Sequence, residues 1–167
     1  MDIQATITET DQTFNELISL LSSFEPKQFN TIPFEGSWSA GQLAQHVILS
    51  AGGFVLLLNG PMKDSERDPE ENIPNLRAMF LDFSTRMQSP QEIVPEEKEY
   101  DQEQLTTTLN GIQASFLDAI EKADITKTCT AFEIPKSGYM TVAEAIVFNI
   151  VHTQRHIHQL KGIKVRL

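Results

Sequence analysis

The sequence predicts an all-α fold: a four-helix bundle with a long middle crossover that contains one short extra helix. Three observations carry that expectation. Four long segments repeat apolar residues at the three-and-four spacing of an amphipathic helix. Two of them open on a capping box, Ser39 with Gln42 and Thr141 with Glu144. Between the second and third lies an acidic stretch, Met62 to Glu99, carrying Pro69, Pro74, Pro90 and Pro95. Two helix pairs joined by one long connection make such a bundle. One domain over residues 1–167 is the simplest partition, and a chain of that length can bury a substantial core.

Each element has its own signal. The first helix is expected from Thr10 to Phe24, with Phe14, Leu17, Ile18, Leu21 and Phe24 on one stripe. The second follows the Ser39 cap, places Leu43, His46, Val47, Ser50, Phe54 and Leu57 on one face, and stops at Gly60-Pro61. In the middle stretch, Leu76, Met79, Phe80 and Phe83 predict a short helix from Asn75 to Met87. A structureless loop of that length inside a domain is unusual. The third long helix reads from Asp101 to Ala123 on Leu105, Leu109, Ile112, Phe116 and Ile120. The last begins at Thr141 after a Gly138-Tyr139-Met140 turn, with Ala145, Ile146, Ile150, Ile157 and Leu160 as its apolar stripe. A weak internal repeat supports the pairing of helices. Ile32-Pro33 precedes one capped helix and Ile134-Pro135 precedes the other.

Composition narrows the function. A hydrophobic share of 40% with 22% charged residues fits a globular protein. The net charge of −10 disfavours nucleic acid and anionic membrane surfaces as partners. The longest uninterrupted apolar run, Phe54 to Leu58, is too short to span a bilayer. The single cysteine, Cys129, excludes an intrachain disulfide and fits a reducing cytoplasm. Met1-Asp2-Ile3-Gln4 lacks the basic and apolar regions of a secretory signal. A cytoplasmic location is the expectation.

The histidines carry the chemistry. Only four are present, and His152 and His156 stand one helical turn apart, so their side chains leave the same helix face. If His46 faces them across the bundle, three imidazoles converge. Three ligands with an open position form a catalytic rather than a structural metal site. Such a site would hold a divalent metal, zinc or nickel, and would activate a water or thiol nucleophile.

The residues around these histidines resemble a known family. Trp38-Ser39-Ala40-Gly41-Gln42-Leu43-Ala44-Gln45-His46 is similar to the Trp-Ser-x-x-Gln-x-x-x-His motif of the DinB-like (YfiT-type) metalloprotein superfamily. Thr141-Val142, followed by His152-Thr153-Gln154-Arg155-His156-Ile157-His158-Gln159-Leu160, resembles its C-terminal His-x-x-x-His helix. The resemblance implies a four-helix bundle, commonly a homodimer, with a metal held by His46, His152 and His156. It also implies a small-molecule substrate, with a low-molecular-weight thiol as partner, because the family includes thiol-dependent S-transferases and isomerases. Thiol transfer ranks slightly ahead of hydrolysis on that basis. The alternative is a non-catalytic metal- or small-ligand-binding bundle, since no Asp or Glu accompanies His152 on its face.

The neighbouring residues divide as follows. Asn149 shares the histidine stripe and either orients a ligand or binds substrate, or else is satisfied by a neighbouring helix. Gln42 is read as a cap and Trp38 as a staple at the helix start. His158, about 200° around the helix from His156, should face away as a surface or interface residue. Arg155 is read as a solvated surface arginine, and Cys129 as a loop residue without catalytic activation.

Overall fold

The computed structural model describes residues 1–133 and 138–167, so the Ile134-Pro135 half of the sequence repeat lies outside the described residues. Helix α1 spans Ile3–Ser22 and starts a full seven residues before the expected Thr10. Asp2 caps it by accepting from the Ala5 N–H at 3.0 Å. Thr6, Thr8 and Thr10 then donate their hydroxyls to carbonyls four residues back, at 2.7–2.9 Å. These bonds absorb a polar stretch into the helix, although its sequence shows little apolar periodicity.

A single turn, α2 (Pro26–Phe29), leads to α3 (Ala40–Leu58), whose reciprocal Ser39–Gln42 box closes as expected. Then follow β1 (Met62–Asp64), α4 (Ile73–Leu81), a 3₁₀ turn at Gln91–Ile93, α5 (Gln102–Lys122), β2 (Lys127–Cys129) and α6 (Val142–Arg166). Helix α4 stops at Leu81 instead of continuing to Met87. The Asp82 carboxylate accepts from the Ser84 N–H at 3.0 Å and from both the Ser84 and Thr85 hydroxyls. That local turn outcompetes another helical turn.

The four long helices form the bundle. Helix α1 packs against α5 and α6, and α3 packs against the same two. Sequence neighbours α1 and α3 therefore lie on one diagonal and α5 and α6 on the other. Phe14, Leu17 and Leu21 of α1 meet a core that includes Val47 and Leu57 of α3, Leu109, Phe116 and Ile120 of α5, and Ile146, Ile150 and Leu160 of α6. By length and composition α3 could cross a membrane, because its glycines, alanines and serines dilute its apolar character without breaking it. Its apolar residues instead fill the bundle, and most of the helix is buried.

Strands β1 and β2 pair antiparallel, Met62 opposite Cys129 and Asp64 opposite Lys127. Cys129 thus sits in a strand and not in a loop. This small sheet was not expected, since each strand is three residues long and carries no hairpin signal. It ties the exit from α3 to the approach to α6. The crossover between β1 and α5 then lies along the bundle, with α4 packed on α6.

One buried carboxylate fixes the start of that crossover. Glu144 completes the Thr141 capping box, with both bonds at 3.1 Å, and also receives the forked guanidinium of Arg67 and the Asn72 amide at 2.9 Å. Burial by itself pushes this carboxyl up. The Arg67 fork, the Thr141 N–H and Asn72 outweigh it and hold the group below its ordinary value. Glu144→Gln keeps the cap shape but removes the charge opposite Arg67. It is expected to lower stability by about 1–3 kcal/mol, discounted because Arg67 is partly exposed. Glu144→Ala should cost more, because the cap is lost as well. Urea unfolding midpoints at unchanged slope would check both values.

Candidate metal centre

His46 comes from the second turn of α3, and His152 and His156 come from consecutive turns of α6. Because α3 and α6 are neighbours in the bundle, the three rings meet, each less than a tenth exposed. The ligand-capable nitrogens all lie within 4.8 Å of one another. His46 Nε2 is 3.3 Å from His152 Nε2, and His156 Nε2 is 3.0 Å from it. Two imidazole nitrogens sharing an ion at about 2.0–2.1 Å each, with bond angles near 90–110°, stand roughly 2.9–3.4 Å apart. Both distances to His152 fit that range.

Hydrogen bonds on the far side of two rings set which nitrogen points inward. His46 Nδ1 lies 2.8 Å from the Ile93 carbonyl, and His156 Nδ1 lies 2.6 Å from Gln159 Oε1. A carbonyl oxygen only accepts, so each Nδ1 carries the hydrogen and each Nε2 presents a lone pair to the centre. For His152 the nearest Nδ1 contact is Ser50 Oγ, at 3.5 Å. A proton on His152 Nε2 would satisfy one of the two facing lone pairs, whereas a cation satisfies all three nitrogens. The donor set therefore fits a divalent metal with imidazole affinity.

The environment keeps these rings unprotonated. Burial lowers His46, and the Ile93 carbonyl opposes that only in part. His152 is pushed well below its ordinary value, by burial first and then by His156, His46 and Arg155. His156 falls to about 3, again chiefly through burial. An aromatic wall does much of the burying. Phe148 stacks on His152 with ring centroids 5.7 Å apart, and Phe80 meets the same ring edge-on at 5.9 Å. Trp38, read from the sequence as a staple, reaches the site itself. Its ring stands 5.0 Å from that of His46 and lines the cleft beyond.

The other expectations divide. Gln42 caps α3, donating nothing to the histidines and accepting from the Ser39 N–H at 3.0 Å. His158 is exposed and is not among the clustered histidines, as its helical angle requires. It stacks flat on Phe83, with centroids 4.0 Å apart, at the side of the cleft. Asn149 is fully buried, and neither amide atom meets a protein partner among the described residues. It therefore neither orients a histidine nor is satisfied by a neighbouring helix. Cys129 is buried, and its thiol is pushed up to about 11 by desolvation, which suits an inert packing residue.

Arg155 corrects the sequence reading. It is buried at 5% exposure, and its guanidinium donates to the carbonyls of Phe80 at 3.1 Å, Asp82 at 2.9 Å and Thr85. These carbonyls lie at and beyond the C-terminal end of α4, where a cation complements both orphan acceptors and the helix dipole. A side chain between two histidines on α6 therefore pins the crossover that supplies Phe80 and, further on, the Ile93 carbonyl. Neither Arg155's partners nor Ile93 carry a sequence signal, because all of them are backbone carbonyls. Gln159 was legible as the residue three beyond His156, on the same face.

Metal-free protein should lose stability in acid earlier than its carboxylates alone dictate. The folded histidines sit below the unfolded value near 6.5, so the unfolded chain binds more protons across that window. Stability is then fully present above about pH 6.5 and falls as the pH drops toward the folded values. Thermal midpoints of metal-free protein between pH 7.5 and 5 would show it. The slope should flatten when His152 and His156 are replaced by glutamine.

Similarity to known proteins agrees with this architecture. No protein with a curated description matches the sequence. The crystal structure of TT2238, described as a four-helix bundle protein, superposes with a TM-score of 0.62 at 18% identity, covering 96% of this chain and 98% of that one. At that identity the likeness speaks to the fold alone. The family model of the DinB superfamily matches residues 9–160, nearly the whole chain and all three clustered histidines. This chain belongs to the DinB superfamily.

Proposed function

We propose that His46, His152 and His156 hold a divalent cation, zinc or nickel, and that the protein is a metal-dependent enzyme acting on a small molecule. The single observation that carries this reading is the convergence of three Nε2 atoms, with Nδ1 of His46 and His156 committed to carbonyl acceptors. When bound, the ion would supply Lewis-acid activation of a thiol or water nucleophile. The chain's own residues do the rest. The Ile93 carbonyl and Gln159 hold the rings in register. Burial keeps the ligands free of protons at neutral pH. Phe80, Phe148 and Trp38 pack against the rings and, with the histidines, line a cleft of about 1470 Å³. The resemblance to thiol-dependent S-transferases ranks thiol transfer ahead of hydrolysis.

A second reading is a non-catalytic ligand-binding bundle. It draws support from the carboxylates: those lining the cleft, Glu92 and Glu133, are both exposed, and the buried Glu144 is committed to Arg67 and its cap. No buried carboxylate lines the cleft as a proton-transfer group, among the described residues.

Elemental analysis of protein purified without a polyhistidine tag, beside the His46/His152/His156 triple alanine variant, tests the metal site. Near one equivalent of zinc or nickel in the parent, lost in the variant, is expected. No metal in either after reconstitution would end the proposal. Metal-loaded protein should then turn over a thiol with an electrophilic co-substrate, and His46→Ala should abolish the turnover. Stoichiometric metal without turnover across thiol and hydrolytic substrates would favour the binding module.

A further inference from the structure

The chain carries five arginines, and their partners sort them by location. Arg67 and Arg77, outside the cleft, each fork onto a carboxylate, Glu144 and Glu9. Arg86, Arg155 and Arg166 all line the cleft beside the histidines, and none has a carboxylate within ion-pair distance among the described residues. Arg155 is committed to three carbonyls. Arg86 has no polar partner among the described residues. Arg166 donates one nitrogen to the Gly162 carbonyl at 2.7 Å and lies 5.3 Å over the Phe34 ring, leaving its other N–H groups free. Two glutamates, Glu92 and Glu133, also line the cleft. With three arginines against them, the described lining of the cleft has one excess positive charge in a chain of net −10. Guanidinium groups left unpaired in so acidic a protein suit a planar or tetrahedral anion better than solvent alone.

The rest of the lining is apolar. Phe34, Met79, Phe83, Met87 and Phe132 border the cleft, and each is more than a third exposed. Large apolar side chains left open around a concave site mark a place for an apolar ligand body. We propose that the cleft takes an amphipathic organic anion. Its aromatic or aliphatic body rests on the Phe34, Phe83 and Phe132 side, and its carboxylate or phosphate-like group is held by Arg86 and Arg166. This deepens the metal-enzyme reading by naming a substrate class, and rests on it only for the placement of the ligand's reactive end toward the histidines.

Isothermal titration at low ionic strength with 2-naphthoate and its neutral amide, 2-naphthamide, tests the proposal. It is run on zinc-loaded and on chelator-treated protein. The parent should prefer the carboxylate by roughly tenfold in both forms, the size of one or two charge-assisted hydrogen bonds at an exposed site. Arg86→Gln with Arg166→Gln should erase the preference while leaving amide binding in place, which also reports an intact cleft. Lys27→Gln with Lys122→Gln removes the same charge from surface positions that do not line the cleft, and should retain the preference. The proposal is overturned by no preference in the parent, by a preference that survives the double arginine variant, or by equal loss in the lysine variant. It is also overturned by binding of neither compound. A preference seen only with zinc would overturn it too, by assigning the carboxylate to the metal. The elemental analysis is independent of these outcomes, so failure of the metal reading and failure of the anion proposal are distinguishable.

Discussion

His46 and His156 turn their Nε2 lone pairs inward onto the ring of His152, and much of this structure serves to hold the three imidazoles there. Phe80, Phe148 and Trp38 pack against rings that are each less than a tenth exposed, so protonation is disfavoured there. Carbonyl oxygens behind two of the rings fix Nδ1 as the protonated nitrogen, so those rings cannot turn their hydrogens toward the centre without losing a bond. The bundle supplies the rigidity that such an arrangement needs. Both helices that carry the histidines open on full capping boxes, which fixes where each helix begins and hence which turn each ring occupies.

The crossover is the less obvious part of the design. It has few buried apolar anchors, Leu76 and Phe80 in α4 and Pro95 and Tyr100 near its end. Polar contacts complete its attachment. Arg67 reaches the buried Glu144 at the start of α6, and Arg155 reaches back from the middle of α6 to the end of α4. The same helix thus presents the metal-ligand candidates and the pins that hold the segment behind them. The Ile93 carbonyl, at the far end of that segment, closes the loop on His46. Loosening the crossover would therefore disturb the orientation of an imidazole that sits on a different helix.

Burial and openness meet in one cleft. Its inner wall holds the buried histidines with Trp38, Phe80 and Phe148, and its outer side is bordered by exposed Phe and Met side chains and by arginines without carboxylate partners among the described residues. A ligand entering from that side would meet apolar surface and positive charge before it meets the histidines. Long-range attraction is unfavourable for an anion approaching a protein of net −10, so the proposed anion would depend on local recognition at the arginines.

The sequence by itself determined the four long helices, both capping boxes and the His152–His156 pair, because these follow from local spacing: 3.6-residue periodicity, a three-residue cap and an i, i+4 pair. His46 was named as their companion by the family resemblance, and its meeting them across the bundle was decided by the packing of α3 on α6. The sequence also placed a short helix in the middle stretch, although Asp82 ended that helix six residues early through side-chain bonds that periodicity does not register. The start of α1 was missed for a related reason, since threonine hydroxyls bonding to the backbone look like a polar linker in one dimension. Only the tertiary structure decided the diagonal placement of α1 and α3, the β1–β2 pairing and the burial of Arg155. These depend on which surfaces meet across tens of residues. The partners of Arg155 and of His46 Nδ1 are backbone carbonyls, which every residue possesses, so no side-chain pattern can announce them. The histidines were legible because chemistry resides in their side chains, whereas the support of His46 was not, because it resides in the main chain of a distant segment.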